Sequence, residues 1–241
     1  EKLFDTLLEG LEVSDDDVTG YYADKLAEDK ELYGSDVLYY ESAWNSGYTP
    51  LAAPSGFRGI LHILLEVDAN LLDSYTDLQA RLEEGEDATI TQEDVDAAYA
   101  AIIASVQEDI DAISQAYQNG TPFEDLIAQY NTDSGMSDET ILKEGYPIHQ
   151  EGTLFVQEFV DGTFTMDQVG DISDPIVSDF GVHILYYLRD IPEETPLTDE
   201  LRAEIRETML SDLENSAISE ALEKWYNEAE IVFTEAGAAF D

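Results

Sequence analysis

The chain has 241 residues, 44% of them apolar, and carries 55 Asp and Glu against 10 Lys and Arg, for a formal charge of -45. That length builds one large domain or two modest ones, and the charge repels phosphate backbones and anionic lipid surfaces, which excludes nucleic acid and direct membrane contact as partners. Cysteine is absent, so disulfides and thiolate metal sites are excluded as well.

Aromatic residues make up 10% of the chain, including 14 Tyr, which argues for a packed core and against an acidic disordered tail. The charge reads first as a solvated surface, and second as a pull on basic client chains. No apolar run is long enough to span a bilayer. The sequence opens at Glu1-Lys2-Leu3-Phe4, inside an apparent helix, and reads as a mature or trimmed chain. A leader or lipid-anchor cysteine ahead of it would not be visible.

Residues 1–10 read as the end of a helix closing at Gly10. Ser14-Asp15-Asp16-Asp17 has the form of a capping box, followed by Val18, Tyr21, Tyr22 and Leu26 at helical spacing to about Lys30. Residues Tyr33 to Trp44 have no clear periodicity. Gly47, Pro50, Pro54 and Gly56 mark a linker, and Arg58–Val67 reads as a strand. Residues 70–84 read as a helix. Thr91 with Asp94 caps another, whose apolar set Val95, Ala98, Ile102, Val106, Ile110, Ile113 and Tyr117 runs unbroken to Asn119-Gly120. Thr121-Pro122-Phe123-Glu124 opens the next, with Thr121 as cap, to about Tyr130. Asn131–Glu139 reads as a polar loop, Gly145–His149 as a short strand, Leu154–Thr163 as a short helix and Val169–Asp171 as a turn. Ile172–Ser178 and Val182–Leu188 form a hairpin across Asp179-Phe180-Gly181. After Pro192 and Pro196, Thr198 caps a long helix to about Asn227 with Leu201, Ile205, Met209, Leu213, Ala217 and Leu222 on one stripe, ahead of an apolar tail, Ile231-Val232-Phe233.

Two histidines stand out, His62 in Gly59-Ile-Leu-His-Ile-Leu-Leu65 and His183 in Ser178-Asp-Phe-Gly-Val-His-Ile-Leu185. Side chains alternate along a strand, so each imidazole can face one way while its neighbours bury themselves on the other. Antiparallel pairing of the two runs would set both in one apolar groove.

The stretch Phe57 to Asp190 resembles a parvulin-type rotamase domain. The resemblance rests on His62 in the first strand and on Gln118-Asn-Gly-Thr-Pro-Phe-Glu-Asp-Leu-Ile-Ala-Gln-Tyr-Asn-Thr-Asp133, which ends where the family carries Asp or Cys. It rests also on Glu158-Phe159 followed by Phe164, and on Val169-Gly-Asp-Ile-Ser-Asp-Pro175 before the His183 hairpin. It implies an α+β fold: a four-stranded antiparallel sheet with surrounding helices over residues 55–192, with a helical insertion at about 70–104. With both ends added (1–54 and 193–241, a discontinuous helical, chaperone-like domain), the whole chain is similar to exported foldases of the PrsA and SurA type. That likeness implies an extracytoplasmic, cell-surface protein, lipid-anchored in a Gram-positive bacterium, whose partners are unfolded or proline-containing polypeptides. The long terminal helices leave a swapped homodimer open. The chain departs from the family where Gly-Asp-Leu-Gly is replaced by Glu144-Gly-Tyr-Pro-Ile148, and the 70–104 segment has no basic cluster for a phosphate.

The implied chemistry is peptidyl-prolyl cis–trans isomerisation, without a covalent step or cofactor. Twisting the amide crosses a barrier of roughly 18–20 kcal/mol. A site helps by gripping the proline ring and favouring the twisted state in a dry groove. On this reading His62, Asp133, His183 and Ser178 form the polar floor, and Phe155, Phe159 and Phe180 bind the substrate. Taken singly, each residue has a plainer explanation. A strand histidine is more often structural, Phe155 and Phe159 could be core at helical spacing, and Asp133 a turn residue. His149 has no counterpart in the family and reads as surface. No metal site is expected, since the three histidines show no ligand spacing and neither acidic run fits a calcium loop. Two rivals remain: a catalytically weak or inactive parvulin-fold chaperone that binds unfolded chains, and a structural surface protein on a degenerate rotamase fold.

Overall fold

The structure, a computed structural model, describes residues 7–85 and 89–229. The expectations for residues 1–6 of the first helix and for the tail Ile231-Val232-Phe233 lie outside the described residues. Two compact units are present, 29–194 and a second made of 1–28 with 195–241. The first cut precedes the Gly/Pro linker because residues 29–54 pack into the central unit. Tyr40 and Ala53 bury against Phe57, with the Tyr40 and Phe57 rings 4.6 Å apart. The Asp29 carboxylate accepts hydrogen bonds from the Tyr48 hydroxyl and the Leu51 amide.

Helix α1 (Asp15–Leu32) begins in the terminal unit at the expected capping box, in which Ser14 and Asp17 exchange side-chain-to-backbone bonds. Helix α9 (Asp199–Glu228) is capped by Thr198, whose hydroxyl accepts from the Leu201 amide. Val18 and Ile205 are buried there, and Arg206 pairs with Asp15.

The central unit begins with α2 (Val37–Asn45), in the segment without clear periodicity; Asp36 caps it through the Tyr39 amide. Strand β1 (Arg58–Leu65) follows, then α3 (Ala69–Glu84), α4 (Gln92–Ser105) and α5 (Gln107–Gln118). The sequence reads α4 and α5 as one helix. The structure breaks it at Val106 (φ -120°, ψ 15°), after the Ser105 hydroxyl donates back to the Ile102 carbonyl. The apolar stripe survives the break because Ile102, Val106, Ile110 and Ile113 all enter the same core. Helix α6 (Phe123–Tyr130) starts at Pro122 with no side-chain cap, so Thr121 does not play the expected role. The expected polar loop contains a 3-10 turn (Ser134–Ser137), capped by Asp133, and ends at a short helix α7 (Glu139–Glu144), capped by Asp138, that the sequence reading does not include. Then come β2 (Tyr146–Ile148), α8 (Gln157–Thr163), β3 (Ile176–Ser178) and β4 (Gly181–Asp190).

The four strands form one antiparallel sheet in the order β2-β1-β4-β3. Its period of two divides the core. Leu61, Ile63, Leu65, Val182 and Ile184 face a cluster completed by α4, α5 and α6. Ile60, Leu185 and Tyr187 face the other way, against Phe159 and Val160 of α8. Gly145 holds β2 against β1. Its φ is 75°, and a Cβ there would lie 2.5 Å from the Ile60 nitrogen, so no side chain fits.

Candidate active site

The β1–β4 register sets His62 opposite Leu185 and Leu64 opposite His183. The two histidines are therefore diagonal neighbours on one face, close enough for their rings to meet. The rings stack at 5.3 Å and 22°, with Nδ1 to Nδ1 at 3.2 Å. Asp133 reaches His62 from the loop after α6, its Oδ2 being 2.8 Å from Nε2. Asn131 docks that loop onto β1: its Oδ1 accepts from the Leu64 and Asp133 amides, and its Nδ2 donates to the Asp133 carbonyl. On the far side the Ser178 hydroxyl lies 2.7 Å from His183 Nε2.

With both rings neutral, these contacts allow one arrangement of protons. A carboxylate only accepts, so His62 Nε2 carries a hydrogen and donates it to Asp133. In a neutral ring His62 Nδ1 is then bare and accepts from His183 Nδ1–H. His183 Nε2 is bare in turn and accepts from Ser178. The result is one polarised chain, Asp133 to His62 to His183 to Ser178, with every imidazole nitrogen engaged. Both histidines are buried. Burial, reinforced by the adjacent His62, pushes the His183 pKa down to about 4. The hydrogen bond from His62, against the opposing effect of burial, holds the Asp133 carboxyl below its usual range.

Above the chain lies an open cleft of about 460 Å³. Phe159 is its buried floor, edge-on to His62 at 5.3 Å and to His183 at 5.5 Å. Phe155 stacks on Phe159 at 5.6 Å and 22°. Phe155 precedes α8, so the pair does not share a helix face as its spacing suggests. Phe180 stands at the rim, 64% exposed, on the β3–β4 turn, where its amide donates to Ser178 Oγ. All seven expected site residues thus adjoin the one cleft or its polar chain. His149 stands apart and is half-buried rather than surface: Nε2 donates to the Ser55 carbonyl and Nδ1 accepts from the Glu151 amide.

A rotamase family, the PPIC-type PPIase domain, matches residues 62–189, just over half of the chain. The chain belongs to the PPIC-type PPIase family. The foldase protein PrsA of Oceanobacillus iheyensis is 30% identical over 156 residues, covering 60% of this chain and 50% of its own. PrsA of Bacillus subtilis is 28% identical over 130 residues, covering 54% and 42%. The chain therefore spans about half the length of the relatives it matches. The crystal structure of Bacillus subtilis PrsA aligns over 98% of this chain and 84% of that one, at 19% identity and a TM-score of 0.33.

The PPIC-type cleft has walls that the sequence reading does not name. Leu64 lines it two residues from His62, a place the strand period could have given. Tyr146 sits in the segment that replaces Gly-Asp-Leu-Gly, its ring 5.9 Å from His62 and 5.2 Å from Phe155. Burial, with the Asp133 charge behind it, pushes its pKa up to about 12, so it stays a neutral phenol. Trp44 and Asn45 come from α2, ahead of the family match.

Arg58 anchors the far end of α8. Its Nη1 donates to the Thr163 and Met166 carbonyls, both at 2.9 Å, and its guanidinium lies 4.7 Å from the Phe164 ring centre and 4.4 Å from that of Tyr187. Lysine keeps the charge but not the planar fork. Arg58→Lys is expected to cost about 1–3 kcal/mol in chemical denaturation by loosening α8.

The depressed His183 pKa sets a pH dependence. The unfolded imidazole binds a proton near pH 6.5 and the folded one only near 4. The unfolded state therefore holds more protons between those values, and stability falls as pH drops from 6.5 to 4, by at most about 3 kcal/mol. The Asp133 carboxyl adds stability that is lost only at still lower pH. Chemical denaturation at a series of pH values from 7 to 4 is expected to show the loss from His183. Stability unchanged across that range would contradict this.

Proposed function

We propose that this chain is a peptidyl-prolyl cis–trans isomerase that assists the folding of exported proteins. The observation that carries the reading is the buried Asp133–His62–His183–Ser178 chain beneath the Phe155–Phe159 cleft, in a PPIC-type domain. The cleft holds a proline ring against Phe155 and Phe159, and Phe180 covers it from the rim. The polar chain lies where the twisted amide would sit, with its dipoles already oriented and little water to reorganise. Asp133 keeps His62 in one tautomer, and His62 does the same for His183. With every imidazole nitrogen engaged and a carboxylate at position 133, no free nucleophile faces the substrate. Catalysis is by binding and electrostatics, with no cofactor or metal.

The helical unit made from both chain ends holds unfolded segments of the client on this reading. Exposed Leu213, Leu222 and Tyr226 on α9 offer it apolar contact, or contact to a second copy in a homodimer. The likeness to PrsA supports an extracytoplasmic place for the protein, anchored by lipid at a Gram-positive cell surface; surface labelling of intact cells tests it. Among the described residues no helix is long and apolar enough to cross a membrane.

A proline-limited refolding assay with the full chain and with His183→Ala tests the reading. Acceleration by the full chain, lost in the variant, is the expected result. Suppressed aggregation with no rate effect would favour the holding chaperone, the reading that Tyr146 in place of the family's Gly-Asp-Leu-Gly supports. Phosphorylated and plain Ser-Pro peptides are expected to turn over equally, because Arg and Lys are absent from the cleft lining. A strong preference for the phosphorylated peptide in exchange NMR would contradict that.

A further inference from the structure

Helix α2 lies outside the residues that the PPIC-type family matches, yet it reaches the prolyl cleft. Trp44 meets the Tyr146 ring edge-on at 5.9 Å and lies 6.5 Å from Phe155. Contacts between rings order the cleft from end to end. Trp44 touches Tyr146 and Phe155; these adjoin His62 and Phe159; His183, Ser178 and Phe180 complete the other end. Trp44 is half-buried, with part of its indole open to the cleft.

A buried carboxylate fixes this helix in place. Glu41 is 4% exposed, and its Oε2 accepts a hydrogen bond from the Thr153 amide at 2.9 Å. Thr153 opens the Leu154-Phe155-Val156 run, which also lines the cleft. Gly152 lets the carboxylate approach, since a Cβ there would lie 2.1 Å from Glu41 Oε1. One turn of α2 thus ties Trp44 and Phe155 to a common anchor.

We infer that Trp44 forms a specificity subsite for a large apolar or aromatic side chain flanking the substrate proline, with Glu41 as the positioning residue that holds it. The inference rests on the prolyl-isomerase reading of the same cleft. Consecutive Cα atoms are 3.80 Å apart across a trans peptide and about 2.9 Å across a cis one. A proline ring on Phe155 and Phe159 therefore puts its neighbour's side chain within reach of an indole 6.5 Å from Phe155. A flat aromatic face of this kind suits phenylalanine, leucine or tyrosine and offers no cation to an acidic side chain, since Arg and Lys are absent from the cleft lining.

The test uses the full chain in two peptide series, Ala-Ala-Xaa-Pro-Ala-Ala and Ala-Ala-Pro-Xaa-Ala-Ala, with Xaa as Phe, Leu, Ala or Glu. The parent is expected to prefer Phe and Leu over Ala in kcat/KM in one of the series. Trp44→Ala should lose roughly three- to tenfold on those peptides, and proportionally less on the Ala peptide. Trp44→Phe should restore most of the preference. Glu41→Ala should follow Trp44→Ala, while Glu41→Gln, which still offers a carbonyl oxygen to Thr153, should not. Turnover with the same Xaa preference in the parent and in Trp44→Ala overturns the subsite and leaves the isomerase reading intact. Should no peptide turn over, the isomerase reading fails and binding decides the subsite. In a Trp225→Phe background Trp44 is the sole indole, and its emission should shift on adding the Phe-Pro peptide and not the Glu-Pro peptide. Equal response to both overturns the proposal.

Discussion

His183→Ala is expected to lower turnover by about a hundredfold and stability by about 2–4 kcal/mol. Two buried groups lose their partner together. His62 Nδ1 is left a bare acceptor, and the Ser178 hydroxyl an unpaired donor. Each such orphan costs roughly 1–3 kcal/mol in an interior site, only partly relieved if water enters the space left by the ring. Among the described residues no buried side-chain polar atom lacks a partner, so the variant would introduce a defect the native fold avoids. Asp133→Asn should do less damage to stability, because Asp133 is partly exposed and its oxygens can be rehydrated. Its amide can donate as well as accept, however, and so no longer dictates which His62 nitrogen carries the proton. Urea denaturation and exchange NMR on the same samples separate the two effects. A fully active His183→Ala protein would show that the polar chain only braces the sheet.

Phe159→Ala should be the most destabilising single change in the cleft, by about 3–5 kcal/mol. For a chain of this size that corresponds to a fall in Tm of roughly 8–15 °C. The ring belongs to the core cluster with Ile60, Leu185 and Tyr187, and is also the surface on which both imidazoles and Phe155 rest. Phe159→Leu divides these roles. It should recover most of the stability, since volume is nearly kept. It should not recover turnover, since the edge-to-face contacts to His62 and His183 are gone. A leucine variant with parent kcat/KM would make the ring a packing element only.

The legible parts of this fold are those where one short-range signal decides the outcome. The period-two strands gave the histidines their common face, because a residue's side of a sheet follows from its position alone. The capping boxes at Ser14 and Thr91 formed as read, since their bonds close within four residues. The 3-10 turn was hidden in a segment dominated by Ser, Thr, Asp and Gly, where caps and loops look alike, and α7, six residues long, is too short to show a period. The break at Val106 was hidden for the opposite reason: the apolar spacing runs straight through it. The site divided similarly. His62, Asp133, His183 and Ser178 could be named from local motifs and a family likeness, whereas Asn131, which docks the Asp133 loop on β1, looked like any polar loop residue. Trp44 and Tyr146 gave no signal, because what makes them cleft residues is tertiary placement. Trp44 meets Tyr146 across a hundred residues of chain.

The central claim is that this cleft turns plain prolyl bonds by an oriented polar chain. Magnetisation exchange between the cis and trans forms of an unphosphorylated Phe-Pro peptide, with the protein at catalytic concentration, tests it most directly. Uncatalysed exchange takes tens to hundreds of seconds. The account predicts exchange fast enough to give cross-peaks within a second, slowed about a hundredfold in His183→Ala. Exchange at the uncatalysed rate with the peptide demonstrably bound would contradict it.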